Sequence, residues 1–183
     1  MKKILWIFFL LGLAGSAYAQ FGFRAGYSSA NFSDTNFSPK TGFHAGVYYT
    51  AGSEFIKIEP GLQFSQKGYT GNGNMGAAID EQLNYLDMPV LIRLNLLPMV
   101  NVFAGPQASF LLSRNYQLGA VTSNSMEVLA GYDLGGVVGA QFNLPLGLNL
   151  QASYDIGMKS LNYFNTDVKN RVFKVSLGFS LPQ

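Results

Sequence analysis

Residues 86–96 read Leu-Asp-Met-Pro-Val-Leu-Ile-Arg-Leu-Asn-Leu, and every even-numbered position in this stretch is apolar. The odd-numbered positions include Asp87, Arg93 and Asn95. Side chains on a β-strand point alternately to its two faces, so this segment has one apolar face and one polar face. The stretch therefore predicts a strand that separates an apolar environment from a polar one.

The same pattern recurs about eight times after Gln20, each time as a run of roughly ten alternating residues followed by a turn. We place the strands at residues 21–32, 41–51, 55–69, 85–96, 100–113, 132–144, 148–159 and 171–181. The connections at 51–54, 97–99 and 145–147 are short, whereas those at 33–40, 70–84, 114–131 and 160–170 are long and polar. This alternation predicts an eight-stranded antiparallel up-and-down transmembrane β-barrel, with the short turns and both termini in the periplasm.

Residues 1–19 have the three parts of an export signal. The lysines at positions 2 and 3 give a positive start, about eleven apolar residues follow, and Ala17 and Ala19 supply small side chains at the expected cleavage positions. A membrane anchor is the alternative, but about eleven apolar residues are too few to cross roughly 30 Å of hydrocarbon as a helix. We therefore expect a cleaved signal peptide at 1–19 and one outer-membrane β-barrel domain at 20–183.

Composition agrees with a membrane barrel. Charged residues make up 12% of the 183-residue chain, about half the share usual in soluble domains. The chain has no cysteine, which excludes a disulfide framework and a lipid-anchored cysteine. The net charge of +2 disappears when Lys2 and Lys3 leave with the signal. No basic patch with interleaved aromatic residues is present, so nucleic acid is not an expected partner.

Alternation alone leaves open which face of the barrel is inside. A lipocalin-like soluble barrel would turn the apolar set inward around a ligand. The apolar set contains many bulky residues such as Phe23, Phe110 and Phe173, which would overfill an interior only just wide enough for side chains. The opposite face carries glycines between a few charged residues. We therefore expect the apolar face to contact lipid.

The polar face should form a charged cluster inside the barrel. Its predicted members are Arg24, Lys57, Glu59, Asp87, Arg93, Asp155 and Lys174. Because charges with little water around them need partners, we expect two interior ion pairs, Glu59 with Arg93 and Asp155 with Lys174.

Three prolines, Pro60, Pro89 and Pro106, lie inside consecutive predicted strands. Proline cannot donate to a hydrogen-bond ladder, and a closed barrel has no edge strand to accommodate it. Each proline is therefore expected to mark a bulge or a missing hydrogen bond.

Three segments carry a family resemblance. Residues 59–64, 85–93 and 103–108 read EPGLQF, YLDMPVLIR and FAGPQA, and they resemble segments of the Bacteroidetes outer-membrane β-barrel proteins called porin-family or PorT-like. The resemblance implies an outer-membrane location and an eight-stranded barrel of OmpA or OmpX size, but no particular activity. The last strand lacks the terminal aromatic residue common in such barrels, so we expect the barrel insertion machinery to recognise Phe179 and Leu181.

Chemically reactive constellations are sparse. The single histidine, His44, is expected to point into the lumen as a structural side chain. Asp80 and Glu81 are adjacent carboxylates in the predicted second loop, and without further ligands they indicate a solvated loop rather than a cation site. No catalytic, cofactor-binding or metal-binding residue is predicted.

The expected function is a structural or interaction role in the outer membrane, without enzymatic activity. The alternatives are a membrane-embedded lipid-modifying enzyme, a secretion-system accessory barrel and a narrow channel, the last disfavoured because side chains fill a barrel of this size. The expected partners are outer-membrane lipid, the insertion machinery and a protein bound at the extracellular loops.

The third long connection contains a further pattern. Alternation continues through Leu112, Arg114 and Tyr116 and resumes from Met126 to Ala130. We expect a hairpin that turns within residues 119–124 and projects beyond the membrane. It presents a strand edge to a partner or packs over its own barrel mouth.

Overall fold

The computed structural model describes residues 19–32, 38–72, 78–119, 121–125, 131–159 and 169–181. Nine strands occupy these ranges: β1 (Gln20–Phe32), β2 (Ser38–Gly52), β3 (Ile56–Asn72), β4 (Ala78–Leu97), β5 (Val100–Leu118), β6 (Val121–Ser123), β7 (Tyr132–Asn143), β8 (Leu148–Gly157) and β9 (Asn170–Ser180). A 3-10 turn, Pro145–Gly147, joins β7 to β8. Within these ranges no helix is both long and apolar enough to cross a membrane. The expected signal peptide and the segment 126–130 of the expected hairpin lie outside the described residues.

Eight of the strands close into a barrel. Each pairs antiparallel with its neighbours in the order β1, β2, β3, β4, β5, β7, β8 and β9. The first and last strands complete the ring, with pairs running from Gly22–Ser180 to Phe32–Asn170. The eight-stranded antiparallel barrel predicted from the alternation is confirmed.

The two ends of the barrel differ. At one end, the short-turn end, residues 53–55, 98–99 and 144–147 make the connections. The start of β1 and the end of β9 lie there, because Gln20 pairs with Thr50 and Ser180 pairs with Gly22. The opposite end, the long-loop end, carries the remaining connections.

The predicted second loop, residues 70–84, is mostly strand, so this boundary was wrong. β3 continues to Asn72 and β4 begins at Ala78, with pairs from Thr70–Asp80 to Asn72–Ala78. The segment is polar because it lies beyond the part of the barrel whose outer face is apolar. Its polar composition was mistaken for irregular structure.

A bulge changes which β5 residues face inward. Asn84 pairs with Ser113 and Tyr85 pairs with Leu111, which leaves Leu112 as an extra residue on β5. Leu112 is therefore exposed, whereas Arg114 is buried. The expectation that the alternation continues through both residues on one face was wrong, since a bulge inverts the side-chain order beyond it.

The two barrel faces differ in chemistry. Apolar side chains such as Phe23, Val138, Val175 and Leu177 are about half exposed on the outer face. The inner face carries buried charged and amide side chains. A monomer that exposes this much apolar surface needs an apolar surrounding, which lipid supplies.

The prolines interrupt the ladder without shifting it. Between β4 and β5, pairing stops after Pro89–Gln107 and resumes at Ile92–Ala104 in the same register, so Pro106 lies in a gap. A similar gap lies beside Pro60, between the β2–β3 pairs Tyr48–Gly61 and Ala51–Ile58. The prolines thus mark missing pairs, while the register shifts occur elsewhere, at 39–44, 84–85 and 95–97.

Candidate functional site in the barrel interior and the projecting hairpin

A shared carboxylate organises the interior near the short-turn end. Glu59, which is 3% exposed, accepts a hydrogen bond from Arg24 Nη1 at 3.0 Å and one from Arg93 Nη2 at 2.8 Å. Arg93 also donates to the side-chain oxygens of Asn101, Gln141 and Gln151, each within 2.9 Å. We call Arg24, Glu59 and Arg93 the lower cluster, and it ties β1, β3 and β4 together across the lumen.

Two aromatic rings support the lower cluster. The guanidinium carbon of Arg24 lies 4.2 Å from the Tyr48 ring centre, and that of Arg93 lies 4.5 Å from the Phe103 ring centre. Such cation–π contacts strengthen when they are shielded from water. Tyr48 and Phe103 point inward. A signal was available for Tyr48, which has the same parity as His44 on its strand, but neither ring was assigned to the lumen.

Glycine makes room for these rings. Tyr48 pairs across strands with Gly22, and Phe103 pairs with Gly139. A Cβ atom would lie 2.3 Å from the Tyr48 ring if added at Gly22, and 2.4 Å from the Phe103 ring if added at Gly139. The glycine-rich inner face was expected to leave space for charged side chains. At Gly22 and Gly139 that space is filled by the Tyr48 and Phe103 rings, against which the guanidinium groups of Arg24 and Arg93 pack.

A second cluster lies deeper in the barrel. Asp87, which is fully buried, accepts hydrogen bonds from Lys67 Nζ at 2.9 Å and Lys174 Nζ at 3.1 Å. Lys174 Nζ also lies 2.7 Å from Asp155 Oδ2. We call Lys67, Asp87, Asp155 and Lys174 the central cluster.

The structure brings together six of the seven predicted cluster residues, in two groups. Glu59 contacts Arg93, and Asp155 contacts Lys174, as paired in the sequence argument. Each pair has an additional partner, Arg24 in one case and Asp87 in the other. Lys57 is the exception: it is half-buried and forms no ion pair within the described residues.

Lys67 was missed, although a signal was available. It lies on the predicted third strand with the same odd-numbered parity as Glu59, so alternation places both on the inner face. Its neighbourhood was interpreted as the end of a strand, and the side chain was not assigned to the lumen.

A buried ion pair joins β4 and β5 at the long-loop end of the barrel. Arg114 Nε lies 2.5 Å from Glu81 Oε1, and Arg114 Nη1 donates to the carbonyl oxygen of Ser125 at 2.9 Å. Asp80, next to Glu81 in sequence, points to the other face and pairs with Lys40. The two adjacent carboxylates therefore cannot share a cation, because strand geometry separates them.

His44 is 1% exposed, and its Nε2 lies 2.7 Å from Ser176 Oγ. This pair is enclosed between β2 and β9 in the lumen. Across the part of the chain that the structure describes, no group of three or more His, Cys, Asp or Glu side chains is arranged to hold a metal ion.

A vestibule opens at the short-turn end. It has a volume of about 810 Å³, and Lys57, Glu59 and Arg93 contribute to its wall together with several amide side chains. Glu59 and Arg93 of the lower cluster thus border the vestibule on the side of the lumen.

Family comparison identifies this architecture. The sequence profile described as "Outer membrane protein beta-barrel domain" matches residues 14–163. The chain belongs to this outer-membrane β-barrel family. In such barrels the short turns lie in the periplasm, so the short-turn end is the periplasmic end and the long-loop end is extracellular. No protein with a curated description matches the sequence.

Solved structures of other outer-membrane barrels have the same fold. Ail, the attachment invasion locus protein of Yersinia pestis, has a TM-score of 0.58 and 14% identity, covering 89% of this chain and 99% of Ail. Neisserial surface protein A has a TM-score of 0.59 and 17% identity, covering 90% of this chain and 98% of that protein. OprG from Pseudomonas aeruginosa has a TM-score of 0.50 and 9% identity, covering 92% and 99%. This protein is a small outer-membrane β-barrel.

Proposed function

We propose that this outer-membrane barrel is a non-enzymatic interaction protein whose working surface is the projecting hairpin. We define the projecting hairpin as residues 78–84 of β4, residues 113–118 of β5 and all of β6. β4 and β5 have 20 and 19 residues, whereas β8 and β9 have 10 and 11. Strands of about ten residues suffice to cross the membrane, so the extra length of β4 and β5 lies outside it.

The observation that carries the proposal is the edge of β6. β6 pairs with Tyr116–Leu118 of β5 and has no second neighbour among the strands that the structure describes. An edge strand offers unpaired backbone donors and acceptors, which an extended segment of another protein can use. The competing arrangement is a hairpin that packs over its own barrel mouth, where Arg114 already holds Ser125.

The interior gives little support to catalysis. His44 is the only histidine of the chain, and it is buried against Ser176, away from lipid and from both barrel mouths. A lipid-modifying enzyme needs a nucleophile and base that its substrate can reach. Because His44 is not accessible to a lipid substrate, we favour an interaction role over enzymatic activity.

Finer assignments follow from the sequence. The resemblance of residues 59–64, 85–93 and 103–108 to PorT-like barrels supports a Bacteroidetes-type protein, with a secretion-system accessory role as the alternative function. The features of residues 1–19 support export by a cleaved signal peptide. Phe179 and Leu181 near the end of β9 are the proposed contacts for the insertion machinery.

Deleting residues 117–127 tests the interaction surface. The deletion spares all barrel pairing below Tyr116, so the barrel should keep its heat-resistant folded form on gels. Any partner recovered from outer membranes with the full-length protein should be lost. The matched control replaces Tyr163 and Phe164 of the fourth loop with alanine, and it should retain the partner. Unchanged recovery after the hairpin deletion, with loss in the control, would assign the interaction to the fourth loop.

A further inference from the structure

The vestibule at the periplasmic end has the size of a ligand pocket. Its volume of about 810 Å³ falls within the range of roughly 300–1,000 Å³ that is usual for such pockets. Polar side chains line it towards the lumen, and apolar side chains such as Phe55, Leu97 and Leu144 line it at the short turns. A space of this size and composition accommodates a small organic molecule with a polar end.

Arg93 determines which way the amides of the vestibule wall point. A guanidinium group only donates hydrogen bonds, so the amide oxygens of Asn101 and Gln141 face Arg93 Nη1, at 2.8 and 2.9 Å. Gln141 Nε2 in turn donates to Asn143 Oδ1 at 2.7 Å. The Nδ2 groups of Asn101 and Asn143 are left without a partner among the described residues, and both side chains line the vestibule. The wall thus presents two amide donors.

Lys57 adds a cation to these donors. It pairs across strands with Arg93 and lines the vestibule, and it forms no ion pair within the described residues. The carboxylates of the wall are Glu54 and Glu59. Glu59 is bound by Arg24 and Arg93, and Glu54 lies exposed on a short turn, where water screens its charge. The Lys57 ammonium group is therefore available to an anionic group of a ligand.

One acceptor lies in the same wall. Asn149, which is 2% exposed, donates through Nδ2 to the Tyr48 hydroxyl at 3.1 Å, and that hydroxyl lies 2.9 Å from Ser180 Oγ. Asn149 Oδ1 has no hydrogen-bond partner among the described residues. A buried oxygen without a partner is destabilising until a ligand or water donates to it. The wall therefore combines donors for an anion with an acceptor for an N–H group.

We propose that the vestibule binds the carboxyl-terminal end of a short peptide from the periplasm. Lys57 and the amide nitrogens of Asn101 and Asn143 bind the terminal carboxylate through charge-assisted hydrogen bonds. Asn149 Oδ1 accepts a hydrogen bond from a peptide N–H group, and the apolar side chains at the turns contact the body of the peptide. The site lies at the opposite end of the barrel from the projecting hairpin and does not depend on the function proposed for it.

Calorimetric titration of the purified, folded full-length barrel in detergent micelles tests this site. The probe is N-acetyl-L-alanyl-L-alanine, and the matched ligand is the same dipeptide with a carboxamide end. The acid should bind about tenfold tighter or more, because the carboxamide has no charge for Lys57 to bind. The D,D form of the acid identifies the source of the peptide. Tighter binding than the L,L form indicates a cell-wall fragment ending in D-alanine, and weaker binding indicates a protein fragment.

Two substitutions test the assigned contacts. Lys57→Gln removes the cation, so it should weaken binding of the acid about tenfold or more and leave binding of the carboxamide unchanged. Asn101→Asp keeps an oxygen for Arg93 but replaces the amide donor with an acceptor, so it should also remove the preference for the acid. The matched control is Lys40→Gln, which changes a lysine that pairs with Asp80 at the extracellular end and should keep the affinity.

Other outcomes overturn the proposal. Equal affinity for acid and carboxamide, or an unchanged affinity in Lys57→Gln, would reject recognition of the carboxylate. Acetate that binds as tightly as the dipeptide would reject a peptide site. Tighter binding of the probe after deletion of residues 182–183 would assign the vestibule to the chain's own terminal segment, and no binding of any probe would reject the site outright. If Asn101→Asp fails to fold, Lys57→Gln decides alone, since Lys57 has no ion pair within the described residues whose loss would destabilise the barrel.

Discussion

Glu59 and Asp87 each contact two cations, and this sharing defines the interior at the scale of single residues. Arg24 and Arg93 meet at Glu59, while Lys67 and Lys174 meet at Asp87. Removing one partner from a buried ion pair is costly because it leaves the other charge uncompensated. The strength of each cluster therefore depends on the complete set of charges rather than on any one contact.

Replacing Arg93 with alanine should destabilise the folded barrel by about 3 kcal/mol. The substitution removes one hydrogen bond and one further ion-pair contact to Glu59, three hydrogen bonds to amide oxygens and the packing on Phe103. The measurement is the free energy of unfolding by urea in lipid vesicles.

Lys57→Ala supplies the matched control for this measurement. Lys57 pairs across strands with Arg93 and points to the same lumen, but it has no ion pair in the described part of the chain. Its replacement should change the free energy of unfolding by less than about 1 kcal/mol. Similar losses in both variants would contradict the view that the shared carboxylate sets the cost.

At this scale the sequence predicted which charged side chains face the lumen, but the inward-facing aromatic rings were not predicted. Alternation placed Glu59, Arg93 and Asp155 on one face, since inward parity follows from the strand period. Tyr48 and Phe103 escaped it because their type suggests lipid contact. Their parity places both rings on the inner face, and the cross-strand register puts a glycine opposite each of them.

At the scale of elements, a buried ion pair joins the extracellular parts of β4 and β5. Glu81 and Arg114 form their buried ion pair, with Tyr69 donating to the same carboxylate at 3.3 Å. These strand segments extend beyond the membrane, so lipid does not pack against them. Their stability therefore depends on the ion pair more than that of the membrane-spanning segments does.

Arg114→Gln should loosen the projecting hairpin and leave the barrel intact. Amide hydrogen exchange in residues 78–84 and 113–118 should become about tenfold faster or more, because local opening no longer has to break the ion pair. The thermal unfolding midpoint of the whole barrel should change little, since the spanning strands keep their pairs.

Asp80→Asn is the control for the hairpin. It removes the ion pair with Lys40 on the outer face, where exposed pairs contribute little. Hydrogen exchange in the hairpin should then stay near that of the unchanged protein. Equal acceleration in both variants would show that the buried pair has no special role in holding the hairpin.

The sequence predicted the eight barrel strands but misplaced the ends of several. Alternation between lipid and lumen is strong inside the membrane, where every second residue must be apolar. Beyond the membrane this requirement ends, so the start of β4 looked like a loop. The bulge at Leu112 was also invisible, because one extra residue changes the parity without changing the composition.

At the scale of the whole molecule, the lumen is closed by side chains. The lower cluster, with the Phe103 ring against Arg93, and the central cluster occupy successive levels between the vestibule and the extracellular end. An eight-stranded interior has little space beyond that filled by side chains. Purified protein in a planar bilayer should therefore show no large steady ion current. Reproducible single-channel steps of porin size would contradict the closed lumen.

The pairing of β1 with β9 has a consequence for how the chain is made. The seam joins residues such as Gly22 and Ser180 from the first and last strands of the barrel, so it cannot form until β9 has been synthesised and exported. Any product that stops before β9 leaves two strand edges open, which makes it prone to pairing with other chains and to aggregation. Closure of the barrel therefore requires β9. Copies that lack this strand should be degraded in the periplasm rather than accumulate in the outer membrane.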